Sequence, residues 1–212
     1  MNNIKRIYTE CSDVEEFVRK YIHYLSSLMN RLDTKAIGAF VDELERTRKN
    51  HHTIYIIGNG GSAATAMHMV NDIGIDVFKK SGTDLPYRVM SLCENISVST
   101  AIANDSGYQN LFVNQLQMHY RPGDMLIAIS ASGNSPNVVM AAEWVKEHGG
   151  RVIGLLGFDG GSLKKICDIS ILVETPKGEY GPVEDIHLVI DHMISHWLQY
   201  YLQKRSDNEK GE

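Results

Sequence analysis

Apolar residues return at three- and four-residue steps through residues 12 to 49. The first set is Val14, Phe17, Val18, Tyr21, Ile22, Leu25, Leu28 and Met29; the second is Ile37, Phe40, Val41 and Leu44, with Thr47 on the same face. That period predicts two long amphipathic helices. Ser12 is placed as an N-cap, with Glu15 three residues on. Two such helices ahead of any strand need cover for their apolar faces, part of it from a neighbouring subunit.

After His51 and His52 the pattern changes. Thr53-Ile54-Tyr55-Ile56-Ile57-Gly58 is a short, almost continuous apolar run, as in a strand buried on both faces. A Gly-rich turn and a helix over about 62–78 follow. Further strands are predicted at 88–92, 124–130, 151–157 and 169–173, with helices at about 107–119 and 135–148, a short helix before the fifth strand, and a last helix at about 183–204. Strands alternating with helices predict βαβ units and a parallel sheet. The division expected is N-terminal helices over 1–50, one phosphosugar-binding domain over 51–204 and a frayed, charged tail over 205–212. Met67, Met69, Val70, Met140 and Trp144 fall at helical spacings and are read as core.

Composition narrows the function classes. The chain has 212 residues, 43% of them hydrophobic and 22% charged, within the range of an ordinary globular domain. The net charge is -5 and no basic stripe is present, so nucleic-acid binding through the phosphate backbone is unsupported. Three scattered cysteines, Cys11, Cys93 and Cys167, read as reduced thiols of a cytoplasmic protein. The N-terminus lacks an apolar leader segment, and no apolar run is long enough for a bilayer.

Two strand-to-helix loops carry the chemistry. The third strand ends in Ser130-Ala131-Ser132-Gly133-Asn134-Ser135, with Pro136 suited to the first helical turn. Hydroxyls, a glycine and free backbone N–H groups converge there on a helix N-terminus, which favours a phosphate. One cap needs one serine; three hydroxyls flanking a glycine point to an anion. The first strand ends in Gly58-Asn59-Gly60-Gly61-Ser62, where glycines let backbone approach a ligand and Ser62 is a candidate cap. Its spacing is neither a dinucleotide fingerprint nor a P-loop. His68 and Asp72 stand four apart, on one helical face, a spacing that suits two ligands of one metal.

Together, Gly58-Asn59-Gly60-Gly61-Ser62, Asn104-Asp105 and Ser132-Gly133-Asn134-Ser135 resemble the markers of the SIS (sugar isomerase) domain, and within it the phosphoheptose isomerases, over nearly the whole chain. The resemblance implies an α/β fold: a flavodoxin-like, three-layer αβα sandwich with a five-stranded parallel sheet, preceded by N-terminal helices. It implies an aldose–ketose isomerase that converts sedoheptulose 7-phosphate to a heptose 7-phosphate for bacterial surface polysaccharide, with one zinc per site. It also implies a homotetramer with sites between subunits. Substrate and phosphate contacts would come from Asn59, Gly60, Ser62, Asp105, Ser130, Ser132, Asn134 and Ser135; metal ligands from His68, Asp72, Glu184 and His192; catalysis from Asp72, Glu184 and His192.

The chain departs from the family pattern at four positions. Asp72 stands for the usual Glu, Glu184 for the usual Gln, Ala131 for the usual Thr, and Gly181 where an acidic residue is common. Asp72 and Glu184 are therefore expected to divide metal ligation and proton transfer. His187 is either a packing residue or a site residue. His51, His52, His119, His148 and His196 read as surface or packing residues. Three other functions compete: a non-catalytic SIS protein that binds a partner such as a replication initiator, an isomerase of a different sugar phosphate, and a sugar-phosphate sensor. The partner-binding relative lacks the His on the last helix, which is present here as His192. Sensors of this family carry a fused DNA-binding domain, for which this chain has no room.

Overall fold

The computed structural model describes residues 2–210. Five strands form one all-parallel sheet: β1 (Thr53–Ile57), β2 (Arg88–Ser91), β3 (Met125–Ser130), β4 (Arg151–Gly157) and β5 (Ile169–Val173), in the order β2-β1-β3-β4-β5. β3 is buried along its whole length and β4 at all but its first residue, and apart from Ser130 and Arg151 at their ends both are apolar or glycine. β2 lies at an edge and buries only Ser91.

Successive strand residues face opposite layers. Ile54, Ile56, Met125, Ile127, Ile129, Ile153 and Leu155 pack on one side, against α3 (Thr34–Lys49), α4 (Gly61–Met69), α5 (Val77–Ser81) and α10 (Tyr180–Lys210). Tyr55, Ile57, Leu126, Ala128, Val152 and Leu156 pack on the other, against α7 (Leu111–His119), α8 (Pro136–Glu147) and α9 (Leu163–Ile166). The expected three-layer sandwich results.

The N-terminal layer comprises α1 (Asn3–Thr9), α2 (Val14–Met29) and α3. α1 is additional to the two helices that periodicity predicts, and it buries only Ile7. The N-cap of α2 is Asp13 rather than Ser12. Asp13 accepts from the Glu16 N–H, and the Glu16 carboxylate accepts from the Ser12 N–H at 2.9 Å. α2 buries only Leu28 and leaves Val14, Val18 and Ile22 at 72%, 48% and 56% exposure. The layer is fastened to the start of α10. Glu179, buried, accepts from the Asn3 N–H and from the Tyr24 hydroxyl, and Asp185 accepts from the Tyr21 hydroxyl at 2.6 Å.

The segment expected as one helix over 62–78 is a composite. α4 opens into a π-helical stretch, Val70–Asp76, before closing as α5. Met67 is exposed, whereas Met69 is core as expected. α6 (Ile96–Asp105), which the apolar pattern does not signal, buries no residue at all. α10 continues to Lys210, so the expected tail over 205–212 is helical as far as that residue; 211–212 lie outside the described residues.

Candidate active site

In an open parallel sheet, ligands collect at the carboxyl ends of the strands, where the strand order reverses. Here the order reverses between β1 and β3. The two loops singled out by sequence follow those two strands and face each other across that point. Their side chains join directly. The Asn59 amide donates to Asn137 Oδ1 and the Asn137 amide donates to Asn59 Oδ1, both at 2.9 Å, while the Tyr108 hydroxyl donates to Asn59 Oδ1 at 2.8 Å. Asn137 and Tyr108 lie outside the sequence-predicted set. Asn137 is signalled by being a polar residue in the first turn of a helix that the Ser-rich loop introduces.

The Ser-rich loop is braced from within. Gly133 N–H donates to Ser130 Oγ at 3.1 Å, and Asn134 Nδ2 donates to the Ser132 carbonyl at 2.9 Å. Asn134 Oδ1 accepts from both the N–H and the hydroxyl of Ser162. Gly133 has φ 62°, and any Cβ there would collide with the Gly160 carbonyl. Ser135 occupies the N-cap position of α8, yet its hydroxyl makes no capping bond. The Ser135 hydroxyl is thus left available to an anion at the start of α8, although the Val138 and Val139 N–H groups of that turn already donate to the Ser135 carbonyl. A cavity of about 260 Å³ opens beside the loop, lined by Ser132, Asn134, Phe158, Asp159, Thr175 and Lys177.

The glycine loop after β1 behaves differently from expectation at Ser62. The N-cap of α4 is Gly60, and Ser62 is a buried residue of the helix. Asp105 ends α6, exposed, and accepts from the Asn104 amide at 2.7 Å.

His68, Asp72 and His192 converge as the spacing and the resemblance imply. The two imidazole Nε2 atoms are 3.1 Å apart, and Asp72 Oδ2 lies 3.4 Å from His68 and 3.6 Å from His192. A fourth group joins them. Asp191 contributes a carboxylate oxygen to a set of donor atoms that all lie within 4.8 Å of one another. Asp191 is fully buried and, among the described residues, neither of its oxygens has a hydrogen-bond partner. Burial, with the nearby Asp72 charge, pushes its carboxyl up to about 8. Two imidazoles and two carboxylates fit a divalent metal such as zinc.

Glu184 is not part of that cluster. Its carboxylate lies over the first turn of α4, where a Cβ on Gly61 would come within 2.6 Å of Oε1. Desolvation, then the neighbouring Asp185, raises its pKa above the ordinary glutamate value. His187 resolves as a packing residue. It is fully buried, its Nε2–H donates to the Leu156 carbonyl at 3.1 Å, and burial pushes its pKa down to about 4.

Residues 17–157 match the model of the SIS domain. The chain belongs to the SIS-domain family. Among curated SIS relatives, the phosphoheptose isomerase of Trichlorobacter lovleyi is 36% identical over 184 residues, covering 84% of this chain and 92% of the relative. That of Aneurinibacillus thermoaerophilus is 39% identical over 170 residues, covering 80% and 79%. Among solved structures, the phosphoheptose isomerase of Neisseria gonorrhoeae superposes with a TM-score of 0.77 at 26% identity, covering 89% of this chain and all of that one. The five-stranded parallel sheet with helices on both faces is the SIS fold.

Proposed function

We propose that this SIS protein is an aldose–ketose isomerase that interconverts sedoheptulose 7-phosphate and a heptose 7-phosphate; its relatives are phosphoheptose isomerases by name. The observation that carries the reading is the joining of the two phosphosugar loops by Asn59 and Asn137, with a carboxylate and a two-histidine cluster along the same helices. A partner-binding protein without catalysis would have no need of that cluster.

The Ser-rich loop and the α8 N-terminus take the phosphate; Ser132 and Ser135 supply hydroxyls. Ala131 offers none, which removes one contact at that rim. His68, Asp72 and His192 would hold zinc, which when bound polarises the sugar carbonyl and its neighbouring hydroxyl. Glu184, outside the cluster, is the carboxylate placed to move a proton. It accepts the C1 proton of the ketose as the C2 oxygen gains one. It then delivers a proton to C2 as the C1 oxygen loses one, giving the aldose with no net gain of protons. The reverse division, with Asp72 as base, is disfavoured because Asp72 is engaged by both imidazoles. The raised pKa of Glu184 brings its protonated and ionised forms closer in energy, as proton transfer in both directions requires.

The exposed apolar row Val14, Val18 and Ile22 on α2 supports assembly into a homotetramer, with sites bordered by neighbouring subunits. A cytoplasmic setting agrees with three unpaired cysteines, and surface-polysaccharide synthesis with the substrate class.

The test is incubation of the purified protein with sedoheptulose 7-phosphate in deuterium oxide, followed by NMR. Aldose formation with deuterium entering at C2, reduced about 10²-fold or more in Glu184→Ala, is expected. A bound phosphosugar that neither isomerises nor exchanges would refute the reading.

A further inference from the structure

Five loops leave the carboxyl ends of the strands, at 58–60, 92–95, 131–135, 158–162 and 174–179. They carry the carboxylates of Glu94, Asp159, Glu174 and Glu179 but a single basic side chain, Lys177. A phosphate ester brings about two negative charges at neutral pH. Hydroxyls and N–H groups can hold it, but only a cation offsets its charge.

The loop after β5 fixes where that cation starts. Pro176-Lys177-Gly178-Glu179 is a β-turn closed by the Glu179 N–H on the Pro176 carbonyl at 3.2 Å, with Gly178 at φ 96° in the left-handed position. Glu179 is buried, and its carboxylate is tied to Asn3 and Tyr24, which anchors one end of the turn. Lys177 is exposed and, among the described residues, makes no hydrogen bond or ion pair.

This loop meets the Ser-rich loop in one cavity. Thr175 and Lys177 line the space of about 260 Å³ together with Ser132 and Asn134. The Thr175 hydroxyl is shielded and, among the described residues, has no partner. A shielded hydroxyl without a partner marks a place for a ligand atom or an ordered water. Ser132 Oγ accepts from the Asn134 N–H at 3.3 Å, which leaves its own proton to donate. Asp159, the acid on the wall, accepts from the Gly161 N–H at 3.0 Å and forms no ion pair with Lys177.

We infer that Lys177 supplies the positive charge for the phosphate of the bound sugar phosphate, with the Thr175 hydroxyl as a further donor beside Ser132. This rests on the phosphate site of the proposed function, but not on the isomerase reaction.

Inorganic phosphate is titrated into the full chain and followed by phosphorus NMR; KM and kcat are measured with sedoheptulose 7-phosphate. Lys177→Met should weaken phosphate binding and raise KM about tenfold each, with kcat within about twofold of the parent, and Lys177→Arg should restore most of the loss. Added salt should weaken phosphate binding less in Lys177→Met than in the parent. Thr175→Val should weaken phosphate binding about threefold without lowering the melting point, since the hydroxyl it removes has no partner to lose. Lys49→Met is the control for net charge. Lys49 ends α3, just ahead of β1 and so at the opposite end of the sheet, and its loss should leave phosphate binding within about twofold of the parent. Parental phosphate affinity in Lys177→Met, or an equal loss in Lys49→Met, would overturn the assignment. So would a fall in kcat with KM unchanged. Parental affinity in Thr175→Val would strike the hydroxyl from the site. Phosphate binding that depends on Lys177 in a protein with no turnover would remove the proposed reaction and leave this assignment standing. Turnover with Lys177-independent phosphate binding would do the reverse.

Discussion

The amides of Asn59 and Asn137 each donate to the other's oxygen at 2.9 Å, across the point where the sheet reverses its strand order. Asn137 is buried and Asn59 half-buried, so the pair is shielded from water and fixes the spacing of the two loops. Asn137→Ala should cost about 1–3 kcal/mol of stability. A double-mutant cycle with Asn59→Ala, read by denaturant melts, should give a coupling of about 0.5–3 kcal/mol. Strict additivity would show that the loops are spaced by other contacts.

Gly61 faces the Glu184 carboxylate so closely that no side chain fits between them. The obstacle is the far end of a flexible side chain, not backbone, so Gly61→Ala should fold. Alanine suits a helix start, and stability should change by no more than about 1 kcal/mol. The displaced carboxylate should nonetheless lower kcat about 10²-fold with little change in phosphate affinity. Normal turnover in Gly61→Ala would show that Glu184 need not stand where it does.

His187 makes folding sensitive to acid. The unfolded chain binds a proton near 6.5, while the folded chain, which buries the ring, does not until about 4. Between those values the unfolded state holds more protons, so stability falls as pH falls through that window. The loss is on the order of 3 kcal/mol by pH 4. Urea melts at pH 7 and pH 4.5 should show a larger drop in the parent than in His187→Gln, which keeps a donor for the Leu156 carbonyl. Equal drops would assign the acid sensitivity to other groups.

Val18 and Ile22 are 48% and 56% exposed on the outer face of α2. Light scattering should report a tetramer. The double variant Val18→Glu/Ile22→Glu should dissociate while keeping its helical circular dichroism. A monomeric parent would refute the shared-site assembly.

The elements read most easily from sequence are those buried hardest. β1, β3 and β4 are covered on both faces, so their residues are apolar except at an end (Thr53, Ser130, Arg151), and their ends fall within a residue of expectation. α1 and α6 escaped because they bury one residue and none. A helix that packs little has no apolar stripe to betray it. The π-helical stretch was equally hidden, since His68 and Asp72 keep the same spacing with or without the bulge that follows. The two strand-to-helix loops were legible because serine and glycine right after a buried strand have few other uses. Asp191 was not. The available signal was its place on the stripe with Val183, Ile190, Ile194 and Leu198, where a carboxylate has no ordinary reason to stand.

The bond from the Asn3 amide to Glu179 spans 176 residues, and that from Tyr24 to the same carboxylate spans 155. α1 and α2 therefore cannot make these bonds until Glu179, far downstream, has been synthesised. During synthesis the N-terminal layer must wait with its apolar side uncovered, and its closure coincides with the arrival of α10, which carries Glu184, Asp191 and His192. Nascent chains cut before residue 179 should expose that layer to protease, so the active site and the N-terminal seal are completed in one late step.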